Sequence, residues 1–197
     1  MIFDPLLYGF VLLGLFTPGP NVIMLTSSGA RFGFWPTLPH LFGVVLGVGI
    51  TAGVTAMGVG AAVTASPVLN TALKLGAGGF ILWMAWGLWK ASAKPRAAMS
   101  AEDKPLSFWG AVLFQWINPK VWAIAFAASA GYGAGLSMGL EALRLGLAFS
   151  ASNLLVCLFW TAAGSLLTAL LAAPVAWKVF LRIMAVLLAA TALLIFR

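Results

Sequence analysis

Two short clusters in this 197-residue chain set helix-breaking residues beside polar side chains inside otherwise apolar runs. They are Thr17-Pro18-Gly19-Pro20-Asn21 and Gln115-Trp116-Ile117-Asn118-Pro119-Lys120. Each proline removes a backbone donor and crowds the turn before it, so a continuous helix is broken or bent there. Inside a lipid bilayer the freed N–H and C=O groups are costly unless they are buried in protein or face a water-filled cavity. A half-helix starting at proline also offers unpaired N–H groups and the positive end of its dipole, which suits an anion such as an amino-acid carboxylate. Asn21 and Asn118 add side-chain donors and acceptors beside each break. Lys120, at mid-membrane depth, can pair with a carboxylate or carry a proton. Pro18, Gly19, Pro20, Asn21, Asn118, Pro119 and Lys120 are therefore the candidate substrate-binding residues. The plainer alternatives are that the prolines only kink two packed helices and that Lys120 snorkels to an interface.

The elements that must position these groups are membrane helices. The chain is 62% hydrophobic and 8% charged, with a mean hydropathy of +1.06, against roughly a quarter charged in soluble domains. Its net charge of +7 reflects a shortage of acids, four against eleven Lys plus Arg. The basic residues are scattered between apolar runs, which argues against a nucleic-acid partner and for loops at a membrane surface. The single Cys157 reads as a small buried hydrophobe. The N-terminus offers Asp4 rather than basic residues, and no small-residue cleavage pattern closes the first run, so that run reads as a retained membrane helix.

A span needs about twenty apolar residues. Six are expected, near Leu6–Ser28, His40–Val63, Leu69–Trp89, Phe108–Ala130, Leu145–Leu167 and Pro174–Phe196. Pro67 and Asn70 divide the second from the third, and Glu141 and Arg144 fall in a Gly-rich loop before the fifth. The fold expected is an all-α membrane protein, one integral domain over 1–197, with a first half 1–90, a polar linker 91–107 and a second half 108–197. Arg31, Lys90, Lys94, Arg96, Lys104, Lys178 and Arg182 collect on one side; Lys74, Arg144 and Arg197 lie on the other. That asymmetry places the linker in the cytoplasm and both termini outside.

Three spans per half make the halves enter the membrane in opposite senses, an inverted repeat. Pro18 lies fourteen residues after Asp4 and Pro119 fourteen after Pro105. Matched interruptions of this kind are the sequence pointer to a transporter's binding site. The second span's glycines, Gly43, Gly47, Gly49, Gly53, Gly58 and Gly60, read as close-packing surfaces. Trp35, Trp89, Trp109 and Trp177 read as interfacial belts. His40 follows Pro39, taken as a helix start, and reads as an interfacial histidine or a proton carrier. Asn153 reads as a hydrogen-bonding partner between helices. With one His and one Cys there is no metal-ligand cluster, and there is no nucleotide-phosphate loop, so neither a soluble catalytic site nor a cofactor is expected. A membrane enzyme or assembly protein that uses the breaks only for packing is the rival reading.

These motifs resemble those of the LysE/RhtB family of amino-acid translocators. The family's PGPN, basic residue and spaced glycines correspond to Pro18-Gly19-Pro20-Asn21, Arg31, Gly33, Gly43 and Gly47, and its NPK to Asn118-Pro119-Lys120. The stretches 104–109 and 80–86 look most like the branch containing the cysteine/O-acetylserine exporter. The resemblance implies efflux of an amino acid or close derivative across the bacterial inner membrane by a multi-pass protein driven by proton antiport, and leaves a homodimer open. Where many relatives carry an acidic residue after the second-helix glycines, this chain has Val48. No Asp or Glu falls inside the expected spans, so proton coupling is assigned to His40 or Lys120.

Overall fold

The computed structural model describes residues 3–17, 19–58, 67–93, 104–171 and 173–194, and every regular element among them is helical. In chain order these are α1 (Pro5–Phe16), α2 (Pro20–Phe32), α3 (Phe34–Ala56), α4 (Pro67–Ala91), α5 (Phe108–Phe114), a 3-10 turn (Gln115–Ile117), α6 (Pro119–Gly131), α7 (Met138–Leu170) and α8 (Pro174–Leu194). Proline is the first residue of α1, α2, α4, α6 and α8. At that position the missing N–H has no intrahelical partner to lose, and the fixed φ suits the helix. Asp4 caps α1 by accepting from Leu6 N and Leu7 N at 3.0 and 3.4 Å, and Ser107 caps α5 through Gly110 N at 3.1 Å.

Among the described residues two helices are long and apolar enough to cross a membrane, α3 and the Met138–Leu167 part of α7, and α1 with α2 makes a third if the bent pair is one span. α4, α8 and the interrupted α5–α6 pair stand where the remaining expected spans were placed. Several boundaries differ from expectation. α3 begins at Phe34, so Pro39 and His40 lie inside the helix rather than at its start. Pro39 is the sixth residue of α3, so it gives up the bond to the Trp35 carbonyl and crowds that turn. α7 begins at Met138, so Glu141 and Arg144 belong to its first turns rather than to a loop. An acid in the first turn meets the positive end of the dipole and pairs with Arg144 one turn on. Pro18, Gly60, Val63, Lys94, Arg96 and Arg197 lie outside the described residues.

α3 and α7 form the centre, packed antiparallel: Ser150 Oγ donates to the Val45 carbonyl at 3.3 Å, while Gly53 lies beside Ala142. α5 runs parallel to α3, with Gly43 against Phe108 and Ala111 and Gly47 against Val112 and Gln115. α1 runs parallel to α7, from the Asp4–Arg144 ion pair at 3.3 Å to Phe16, whose ring lies 5.2 and 5.4 Å from Phe159 and Trp160. α2 also packs on α7, α6 on α3, and α4 on α8. The second-span glycines do permit this approach: a methyl on Gly47 would sit 2.8 Å from the Val112 carbonyl oxygen. Gly58 is the exception. A Cβ there would meet nothing within 4 Å, and the residue instead turns the chain out of α3 with φ +82°. Trp35 and Trp109 are exposed as an interfacial belt requires, whereas Trp177 is buried in the α4–α8 core with Leu181 and Leu188.

Candidate functional site

The first break bends α1 away from α2 by 62°. Thr17 ends α1, its hydroxyl donating to the Gly14 carbonyl at 2.8 Å, and Gly19 precedes α2 in extended conformation with no side-chain cap. The second break is the 3-10 turn Gln115–Ile117 followed by Asn118, whose side chain caps α6 by accepting from Lys120 N at 3.3 Å. α2 and α6 are both 13 residues long and both begin at proline, Pro20 and Pro119. A neutral amide caps one helix and nothing caps the other.

The two breaks meet. Asn21 Nδ2 donates to Gln115 Oε1 at 2.8 Å, and Gln115 Nε2 returns a bond to Asn21 Oδ1 at 3.2 Å. Asn118 Nδ2 reaches the same Gln115 Oε1 at 3.3 Å, and Gln115 Nε2 also donates to the Ala111 carbonyl at 2.9 Å. Lys120 Nζ donates to the Thr17 carbonyl at the end of α1. Cations favour that position, since the last carbonyls of a helix carry partial negative charge. Gly19 makes room for the crossing: a methyl there would lie 2.8 Å from Lys120 Cδ. Gly19, Pro20, Asn21, Asn118, Pro119 and Lys120 are thus brought to one place, and Gln115 joins them as the hub.

Between the breaks and α7 is a cavity of about 10 Å³, room for about one water molecule. The first turns of α2 and α6 line it, with Asn153, Cys157 and Trp160 of α7 opposite. Asn153 Nδ2 and Trp160 Nε1 are buried there without a hydrogen-bond partner among the described residues. Their donors therefore face the same space as Asn21 and Lys120. Asn153 was read as an interhelical bond, and instead its amide nitrogen is unpaired. Gln115 was not singled out, although a glutamine three residues before a break in an apolar run was the available signal.

His40 is not in this cluster. It is 1% exposed, packed inside the protein, and its Nδ1 lies 3.3 Å from Ser28 Oγ. Val48 is fully buried among apolar side chains.

Apolar helices of spanning length and two interrupted helices joined at a polar centre are the architecture of a membrane protein. Residues 12–197 match the family described as LysE type translocator, and the chain belongs to that family. Cysteine/O-acetylserine efflux proteins of Salmonella choleraesuis (strain SC-B67), Salmonella typhimurium (strain LT2) and Escherichia coli O157:H7 are each 30% identical to it over 112 residues. The matched stretch is 57% of this chain and 56% of theirs, so the likeness spans about half the length of these curated relatives. No solved structure matches the chain.

Proposed function

We propose that this protein is a secondary transporter that exports an amino acid or amino-acid derivative across the bacterial inner membrane, coupled to proton entry into the cell. The observation that carries the reading is the meeting of the two breaks. Asn21, Gln115, Asn118 and Lys120 concentrate donors, acceptors and one cation around a buried space, an arrangement that a packing role alone does not require. Membership of a translocator family and the names of the half-length relatives point to cysteine or O-acetylserine as the first solutes to try.

The expected six-span inverted repeat draws support from the packing. α1 lies parallel to α7 as α5 lies parallel to α3, and α2 packs on α7 as α6 packs on α3. The α3–α7 and α4–α8 pairs map onto themselves when the halves are exchanged. The orientation draws support from charge: Arg31, Lys90 and Lys104 gather at one end, and Arg182 lies there too, over the Trp89 ring at 4.8 Å. That end is the cytoplasmic one on this reading.

In the transport step a zwitterion enters the small cavity as it widens. Its carboxylate displaces the Thr17 carbonyl from Lys120 and meets the first-turn N–H groups of α2 and α6, while Asn153 and the Gln115 hub hold its polar remainder. Proteoliposome counterflow with labelled O-acetyl-L-serine, L-cysteine and a panel of other amino acids tests this, with and without an imposed pH gradient. Accelerated exchange is expected for at least one solute. Lys120→Met is expected to lower its rate by roughly a hundredfold or more with folding intact, since Lys120 is the one cation among the described residues that line the site. Absence of exchange across the panel rejects the reading.

A further inference from the structure

A second, larger cavity of about 570 Å³ opens at the α4 end of the molecule, of the size that small-molecule sites occupy. Helix α2 is the wall between it and the centre. Asn21, Val22 and Leu25 line the small cavity, while Met24, Ser27, Ser28 and Arg31 line the large one. At 3.6 residues per turn those are two adjacent faces of one helix.

The large cavity is chemically one-sided. Its rim carries Arg31, Lys90 and Lys104, and no Asp or Glu is among its described lining residues. At its wall His40 is 1% exposed and presents Nε2 with no hydrogen-bond partner among the described residues. A buried polar atom left so is unfavourable by roughly 1–3 kcal/mol and calls for a partner. Trp83 and Trp86 line it with aromatic rings whose faces attract ammonium groups, and Lys90 Nζ already lies over the Trp86 ring at 6.0 Å. Ser27 already donates to the Ile23 carbonyl at 2.6 Å, so its oxygen is left to accept.

From this we infer that the cavity is a second solute site, a cytoplasmic loading site for a small carboxylate-bearing zwitterion. Lys90 and Lys104 draw the carboxylate in, His40 Nε2 and the Ser28 hydroxyl hold the solute's polar groups, and Ser27 with the tryptophan faces takes its ammonium. α2 then separates the loaded solute from the central site, so transfer between the two requires α2 to move about the first break. The inference rests on the exporter reading for its solute, and the test separates the two.

Gly87 lines the cavity, and nothing lies within 4 Å of where its Cβ would be, so a cysteine fits there; the native Cys157 is buried. In nanodiscs, maleimide labelling of Gly87→Cys is expected to slow by roughly fivefold when O-acetyl-L-serine or L-cysteic acid is added at saturation. Protection is expected to vanish in His40→Ala and to need about tenfold more solute in the exposed Lys90→Gln/Lys104→Gln pair, which leaves the core untouched. Protection is expected to persist in Lys120→Met, whose central site is disabled. Unslowed labelling in a preparation that still performs counterflow overturns the loading site and spares the exporter. Protection without counterflow keeps the site and removes the exporter. Slowing by phosphatidylglycerol in the nanodisc, with none by either solute, makes the cavity a lipid site and overturns the inference.

Discussion

Gln115 joins the two halves of the chain at a single side chain. It is fully buried, its oxygen accepts from Asn21 and Asn118, and its nitrogen donates to Asn21 and to the Ala111 carbonyl. Truncation strands the Asn21 amide rather than merely deleting a bond, so Gln115→Ala is expected to cost about 1–3 kcal/mol. Asn21→Ala is expected to cost a similar amount, and the double variant less than the sum by about 0.5–3 kcal/mol, because the second change removes a group already without its partner. Reversible unfolding in detergent micelles measures the cycle. Strict additivity would mean that the two amides do not act as a unit. The breaks themselves were legible because proline and glycine act on their own backbone. Gln115 and Asn153 were not, since the worth of a buried amide depends on what a distant segment brings to it. The start of the second span was misplaced for a related reason. Pro39 looked like a helix start by local preference, and packing of α3 from Phe34 onward overrode it.

Helix crossings carry the same dependence on distant partners one level up. The glycine run of α3 announced close packing, but its three-way partnership, with α5 at Gly43 and Gly47 and with α7 at Gly49, came only with the fold. The α2–α7 crossing was not anticipated at all. A methyl on Gly29 would fall 2.4 Å from the Thr161 carbonyl oxygen, and one on Gly164 would fall 2.2 Å from that of Thr26. Both obstacles are backbone, which cannot swing aside as a side chain can. Gly29→Ala and Gly164→Ala are therefore expected to lower stability by about 1–3 kcal/mol each and to lower the thermal midpoint measured by tryptophan fluorescence. Gly76→Ala and Gly79→Ala on α4 meet nothing within 4 Å and are expected to leave the midpoint unchanged or raised, because alanine restricts the unfolded chain and favours the helix. Equal losses at all four positions would place the cost in glycine itself rather than in the crossing.

Taken whole, the molecule differs at its two ends. The α4 end opens into the large basic cavity, whereas the opposite end is tied by an ion cluster around the buried Arg144. Arg144 is 3% exposed and holds Asp4 and Glu141 at 3.3 Å each, with the Tyr132 carbonyl at 2.6 Å. Glu141 in turn accepts from Ala134 N and Leu136 N at 2.6 and 3.2 Å, so the start of α1, the 132–137 connection and α7 are bound through one guanidinium. On the exporter reading proposed above, this end opens while the other closes, and the Asp4–Arg144 pair is the link between α1 and the cluster that would then part. Asp4→Asn keeps the α1 cap, since asparagine caps as well as aspartate, but replaces a charged acceptor with a neutral one. The variant is therefore expected to favour the state open at that end without unfolding α1. Val121 lines the small central cavity and is 1% exposed, so a cysteine there reports access from outside. An impermeant methanethiosulfonate added at the face opposite the 91–107 linker is expected to label Val121→Cys roughly tenfold faster in the Asp4→Asn background, about 1.4 kcal/mol of shifted population. A rate unchanged or slowed by Asp4→Asn would show that the cluster staples α1 in every state and plays no part in access.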